Sequence, residues 1–278
     1  MGKELSIAQS VERSIIKNYR TKLWSPFIKA IKEFDLLKEN DKVCVCISGG
    51  KDSMLMAKLF QELKRHSDFD FEVMYLVMDP GYNEKHLDLI RDNIEKLEID
   101  AKIVKTNIFD VSEKLSENPC YLCARMRRGA LYKIAKENGC NKIALGHHFN
   151  DVIETTLMNM LNVGSFQTML PKLHSENYED MELIRPMYFV KEKDIINWVK
   201  HNNLEFIACA CKFVSSVEKE ELESKRKQTK ELIKELRSYN INVEKNIYKA
   251  TLNVNMNMIL GYKKGKERHN FLDDYDKK

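Results

Sequence analysis

Val43-Cys44-Val45-Cys46-Ile47-Ser48-Gly49-Gly50-Lys51-Asp52-Ser53 decides the fold. Its first five residues are wholly apolar and rich in β-branched side chains, the pattern of a strand buried on both faces of a parallel sheet. Ser48-Gly49-Gly50 breaks the run. From about Asp52, the residues Met54, Leu55, Ala57, Leu59, Phe60 and Leu63 supply the apolar face of a helix. Two glycines between a buried strand and a helix let the backbone approach a ligand closely. The helix start adds unpaired N–H groups and partial positive charge, a cradle for an anion. Lys51 adds charge and Ser53 a hydroxyl donor. Asp52 is an acid where phosphate is expected, which makes sense when it helps hold Mg²⁺. The spacing is neither the Walker loop nor the GxGxxG dinucleotide turn. The plainer alternative is a glycine-rich turn with a good helix cap.

Outward from this stretch, strands and helices alternate. Phe71–Met78 reads as a second strand ended by Asp79-Pro80-Gly81, residues 84–97 as a helix, Ala101–Val104 as a third strand and residues 121–137 as a helix. Lys142–Leu145 follows as a fourth strand and residues 149–162 as the helix after it. Such alternation predicts a Rossmann-like α/β fold, a parallel sheet with right-handed crossovers and helices on both faces. Residues 1–40 read as a helical segment, with Ser25 as a cap, Pro26 in the first turn and a stop at Asn40-Asp41. The α/β unit takes 41–212. Residues 213–278 form a helical extension whose Glu- and Lys-rich helix, 217–237, reads as a solvated face laced with i,i+4 pairs, and a basic tail from Gly261.

Composition bounds the function. Of 278 residues 43% are hydrophobic and 32% charged, with ten Gly and five Pro, so disordered and collagen-like classes are excluded. No run approaches the ~20 apolar residues of a membrane span. The first twenty residues lack the apolar core of a secretory signal, and a cytoplasmic location is expected. With 46 Lys and Arg against 42 Asp and Glu, the net charge of +4 permits nucleic-acid binding without demanding it. The seven cysteines are odd in number and include two close pairs far apart, Cys120/Cys123 and Cys209/Cys211. In a reducing compartment that arrangement points to metal, cluster or redox chemistry. Cys120-Tyr121-Leu122-Cys123 opens a helix and is followed by Arg125, Arg127 and Arg128, a setting that favours thiolates. Four readings stay open: a redox dithiol, a zinc site using both pairs, a [4Fe-4S] cluster on three sulfurs with one iron open, and unligated thiols. Cys44, Cys46 and Cys140 read as core.

A second motif, Leu145-Gly146-His147-His148-Phe149-Asn150-Asp151-Val152-Ile153-Glu154-Thr155, also starts at a strand's carboxyl end, the edge where parallel sheets bind ligands. Gly146 permits close approach, expected here to an adenosine. Asp151 and Glu154 share one helix face. Either histidine alone reads as an ordinary core or surface residue.

SGGKDS at 48–53 resembles the pyrophosphate loop of the PP-loop ATP pyrophosphatases. With PCYLCARMRRGALY at 119–132, LGHHFNDVIET at 145–155 and IRPMYFVKEKDI at 184–195, the chain resembles the TtcA family of tRNA 2-thiocytidine biosynthesis proteins from about Leu23 to Val254. The TtuA-type thiouridine enzymes look similar but carry terminal zinc-binding Cys pairs, and this chain has none before Cys44 or after Cys211. The resemblance implies that ATP adenylates a tRNA pyrimidine carbonyl, cytidine 32 of the anticodon loop, and that sulfur then displaces AMP. It implies Ser48, Gly49, Gly50, Lys51, Asp52, Ser53, Met78, Gly146 and Asp151 around ATP and Mg²⁺, with Asp52 and Arg127 in catalysis. It implies Cys120, Cys123 and Cys209 on a [4Fe-4S] cluster, Cys211 being the alternative third ligand. A cysteine desulfurase or free sulfide would give the sulfur, and a homodimer is the expected assembly. Two positions depart from the family. Cys209-Ala210-Cys211 replaces a second CxxC, and Asn150-Asp151 replaces an acidic pair. Arg125, Arg127 and Arg128, with Lys263, Lys264, Lys266 and Arg268 of the tail, are candidates for tRNA phosphates; the tail reads equally as a solvated terminus. The rival functions are a sulfur transferase for a small molecule and a non-catalytic tRNA-binding protein carrying a cluster or zinc.

Overall fold

The computed structural model describes residues 5–115, 119–207, 217–273 and 275, with the side chains of 119, 120 and 217–224 outside that description. The chain opens with α1 (Ile7–Ile16), started by a capping box. The Ser6 hydroxyl accepts from the Gln9 amide at 3.2 Å, and the Gln9 side chain accepts from the Ser6 amide at 3.0 Å. One π-helical turn, Arg20–Trp24, then runs straight into α2 (Ser25–Glu33). Ser25 therefore lies inside the helix and is not its cap: its amide donates to the Arg20 carbonyl, and no side chain caps the start of α2. The helix ends at Glu33, short of the expected stop at Asn40-Asp41.

The α/β unit follows as β1 (Lys42–Ile47), α3 (Lys51–His66), β2 (Glu72–Asp79), α4 (Glu84–Lys96), β3 (Ala101–Lys105), α5 (Ile108–Leu115), α6 (Pro119–Glu137), β4 (Lys142–Ala144), α7 (Phe149–Met158), β5 (Lys172–His174), β6 (Glu182–Ile184) and α8 (Glu192–His201). The sheet order is β3-β2-β1-β4-β6-β5, parallel except for β5, which runs antiparallel to β6. β1 lies at the centre, with Val45 opposite Tyr75 on one side and Ala144 on the other. Val43, Cys44 and Val45 are fully buried, as a wholly apolar run requires. The strand order reverses between β1 and β4, and at that switch point the loops after the two strands part to leave a crevice at the carboxyl edge.

The remainder is α9 (Val217–Tyr239), α10 (Val243–Leu252) and an exposed hairpin of β7 (Gly261–Lys264) and β8 (Glu267–Asn270), closed by a stack of Tyr262 on His269 at 4.4 Å. The tail is thus a folded ribbon. The expected solvated helix is corrected. Thr229 and Ile233 of α9 are buried, and Ile233 packs with Phe149 and Ile153 of α7. Among the described residues no helix is long and apolar enough to cross a membrane.

Candidate active site

The loop after β1 is held open by its own residues. Gly49 takes φ +86°, and a Cβ there would lie 2.6 Å from Ile90 of α4, so both conformation and space demand glycine. The Ser53 hydroxyl accepts from the Ser48 amide at 3.1 Å and from the Ser48 hydroxyl at 3.2 Å, and it donates to the Gly50 carbonyl at 2.9 Å. Ser53 thus shapes the loop around the start of α3. The loop after β4 abuts it. A Cβ on Gly146 would meet the backbone of Asp52 and Ser53 at 3.2–3.3 Å. Glycine at this position is what lets the two loops meet.

Between the two loops lies a cavity of about 320 Å³ lined by Cys46, Ile47, Ser48, Asp52, Ser53, Met78, Arg127, Leu131, Leu145, Gly146, His147 and Asp151. Three elements distant in sequence therefore meet here: the start of α3, the start of α7 and the inner face of α6. Asp52 Oδ1 is buried in this wall with no hydrogen-bond partner, and so is Nδ1 of His147. Burial pushes the His147 imidazole down to about 4, helped by the nearby Arg185, so it faces the cavity uncharged. Met78 also packs with the buried Cys123 and with Phe109 behind the cavity. On the other flank the Ile207 amide donates to the Gly49 carbonyl at 3.3 Å. Ile207 stands two residues before Cys209 in the sequence.

A chain of ion pairs links the lining carboxylates to α8 and α9. Lys51 pairs with Asp52 at 3.1 Å and Glu192 at 3.5 Å; Lys230 pairs with Glu192 at 3.2 Å and Glu154 at 3.7 Å. Arg226 pairs with Glu154 at 2.8 Å and with Asp151. His148 is the cap of α7. Its amide donates to Asp151 Oδ2 at 2.8 Å, and its Nε2 lies 3.9 Å from Asp52 Oδ1. Burial would raise the Asp151 carboxyl, but His148 and the Arg226 guanidinium outweigh it and hold the group below the usual range. Burial wins at Glu154, which is raised despite Arg226 and Lys230.

Residues 20–212 match the PP-loop domain family, ATP_bind_3. The tRNA-cytidine(32) 2-sulfurtransferase of Citrifermentans bemidjiense is 37% identical over 235 residues, covering 84% of this chain and 90% of the relative. That of Geotalea uraniireducens is 34% identical over 235 residues, covering 84% and 91%. The chain belongs to the tRNA-cytidine(32) 2-sulfurtransferase family. Among solved structures, the U34-tRNA thiolase NcsA from Methanococcus maripaludis with its [4Fe-4S] cluster superimposes at a TM-score of 0.64 and 22% identity, covering 81% of this chain and 76% of that one. At that identity the likeness is one of fold.

In this sulfurtransferase-family chain the sequence-predicted Ser48, Asp52, Ser53, Met78, Arg127, Gly146 and Asp151 line one cavity. Gly49 and Gly50 form the turn beneath it, and Lys51 is drawn aside by Asp52 and Glu192. The orphaned Asp52 Oδ1 and the lining carboxylate of Asp151 fit Mg²⁺, which binds through one or two carboxylates plus phosphate oxygens. Of the cysteines expected on a cluster, Cys123 is buried, and the side chain of Cys120 and all of Cys209 and Cys211 lie outside the described residues. Cys44, Cys46 and Cys140 are buried, though Cys46 also lines the cavity. Asn150, which stands where the family has an acid, accepts the Glu192 amide at 3.0 Å and so secures the start of α8. Sequence reading missed Glu192, Arg226 and Lys230. Glu192 lay unassigned within the quoted 184–195 motif, and Arg226 and Lys230 had charge as their only signal, which an exposed helix shows equally.

Proposed function

We propose that this chain is an ATP-dependent tRNA sulfurtransferase that activates the C2 carbonyl of a cytidine, position 32 of the anticodon loop, and replaces its oxygen by sulfur. The observation that carries this is the single cavity shared by the PP-loop, Asp151 and Arg127, with Cys123 packed behind Met78. The loop amides and the start of α3 receive phosphate. Asp52 and Asp151 would hold Mg²⁺, which would offset phosphate charge. The pyrimidine oxygen attacks the α-phosphorus. An O–P bond forms, the bond to the bridging oxygen breaks, and pyrophosphate leaves with the electron pair. Sulfur at the sulfide level then adds to C2, and AMP departs with the original oxygen, so no net oxidation occurs. Arg127 faces the PP-loop across the cavity, where it neutralises charge gathering on the phosphate or the sulfur. His147 offers hydrogen bonding without charge. A [4Fe-4S] cluster on Cys120, Cys123 and Cys209, or Cys211 as the third ligand, would supply an iron without a protein ligand as a Lewis-acidic place for sulfide.

The tRNA substrate supplies a base that must leave its stack. The exposed ribbon with Lys263, Lys264, Lys266 and Arg268 suits its phosphates. A cytoplasmic location follows from that substrate, and a homodimer is checked by sedimentation. The test is anaerobic purification with iron and sulfide analysis, then ATP, Mg²⁺, sulfide and tRNA. AMP, pyrophosphate and 2-thiocytidine should form only with tRNA present. Zinc without iron would remove the cluster, and tRNA-independent pyrophosphate release would favour a small-molecule acceptor. Turnover with a desulfurase and not with sulfide would identify the donor.

A further inference from the structure

Arg226 grips two carboxylates of α7 at once. Its Nε donates to Glu154 Oε2 at 2.8 Å, and its Nη2 donates to Asp151 Oδ1. The two acids stand three apart, so they share one helix face and one fork spans them. Their situations differ. Asp151 lines the cavity, and its other oxygen is already committed to the His148 amide. Glu154 is 2% exposed and does not line the cavity. A buried carboxylate outside the cavity lining, paired with Arg226 at 2.8 Å and Lys230 at 3.7 Å, serves as an anchor. It fixes the guanidinium from below while the other arm fixes Asp151. Lys230, one turn further along α9, reaches Glu192, which in turn holds Lys51 of the phosphate loop. α9 is packed there by Thr229 and Ile233, so the fork sits on a seated helix.

We propose that Arg226 is a positioning residue for Asp151, and that α9 of the C-terminal extension thereby braces the nucleotide site from outside its lining. The proposal rests on the reading of this cavity as the ATP site. The test is a double-mutant cycle on Mg²⁺-ATP binding by calorimetry, with full-length Arg226→Ala, Arg226→Lys, Asp151→Asn and the Arg226→Ala/Asp151→Asn double variant. Arg226→Ala should bind about tenfold more weakly, the scale of one charged hydrogen bond. Arg226→Lys should stay within about threefold of wild type, and the double variant should be no weaker than Asp151→Asn alone. Lys227→Ala, on the exposed side of α9, should be unchanged. Affinity of Arg226→Ala within twofold of wild type would overturn the proposal. So would an equal loss in the Asp151→Asn background, which means direct contact with ATP. Equal weakening in Arg226→Lys and Arg226→Ala, with melting lowered in both, would make Arg226 a structural staple and would also overturn it. Wild type that binds ATP yet forms no AMP with tRNA counts against thiolation alone, because the binding cycle reads the role of Arg226 without turnover.

Discussion

The two ends of one sheet bury charge in opposite ways. At the amino edge, Asp41 accepts from the Lys38 amide at 2.6 Å and from Asn141 Nδ2 at 2.7 Å, and Asn141 Oδ1 accepts from the Lys42 amide at 2.8 Å. Lys142, nearly buried, pairs with Glu182 and lies 3.6 Å from Asp41. These partners complete one another. At the carboxyl edge, Asp52 Oδ1 and His147 Nδ1 are buried without a partner, and both residues face a cavity. A closed polar network fixes a fold, whereas an open one is strained until something else satisfies it. The difference marks which end awaits a ligand.

The largest expected effect breaks the open end. Asp52→Asn should cut pyrophosphate release about a hundredfold or more, the scale of losing position at a reacting centre. Its melting temperature should stay within a few degrees of wild type, because one oxygen of that carboxylate has no hydrogen bond to lose. Lys142→Met at the closed end should do the reverse. Removing one member of a buried ion pair costs about 3 kcal/mol, read by denaturant unfolding, while AMP formed per folded molecule is unchanged. If Lys142→Met lost activity without losing stability, the contrast between the ends would be void.

Legibility in the sequence follows the same division. β1, the PP-loop and α3 were readable because the signal is local: an apolar run, two glycines and a helical face. The doubly wound sheet followed from alternation, and most residues that line the cavity came from motifs at strand ends, with Arg127 from the helix that carries the CxxC. What was not readable has low local content. β5 and β6 are three residues each, too short for periodicity, and they form by pairing with β4 and each other. α5 spans eight residues, directly before the CxxC region. Arg226 and Lys230 look like any surface charge until α9 folds back on α7, a tertiary fact with no local trace. Ser25 misled because a Ser-Pro pair is a good helix start in isolation, and the π turn before it had no signal.

A tenfold effect should sharpen the site. Arg127→Ala should lower thiolation about tenfold, in the range for one charged hydrogen bond, with iron and sulfide content unchanged. Arg127 lines the cavity four residues after Cys123, so activity and cluster content are separable at this position. Unchanged thiolation would leave Arg127 as lining only. Loss of iron together with activity would place its role in holding α6.

The smallest expected effect concerns His147. Its folded value of about 4 lies below the ordinary 6.5 because burial and the surrounding Arg185, Arg226 and His148 disfavour the cation, with Asp151 opposing them. The unfolded chain therefore takes up a proton as pH falls through 6.5, and the folded chain does so only near 4. Stability from this group is flat above 6.5, declines between 6.5 and 4, and is flat again below. Over that window the slope amounts to about 2 °C of melting temperature per pH unit for a chain of this size. His147→Gln, which cannot titrate, should lose that slope. The steeper fall at lower pH, where the depressed carboxyls of Asp151 and Glu192 are protonated and lose Arg226 and Lys230, should persist in both proteins. If wild type and His147→Gln melt in parallel from pH 7 to 4, the imidazole is solvated and the open end of the sheet is less sealed from water than its orphaned atoms imply.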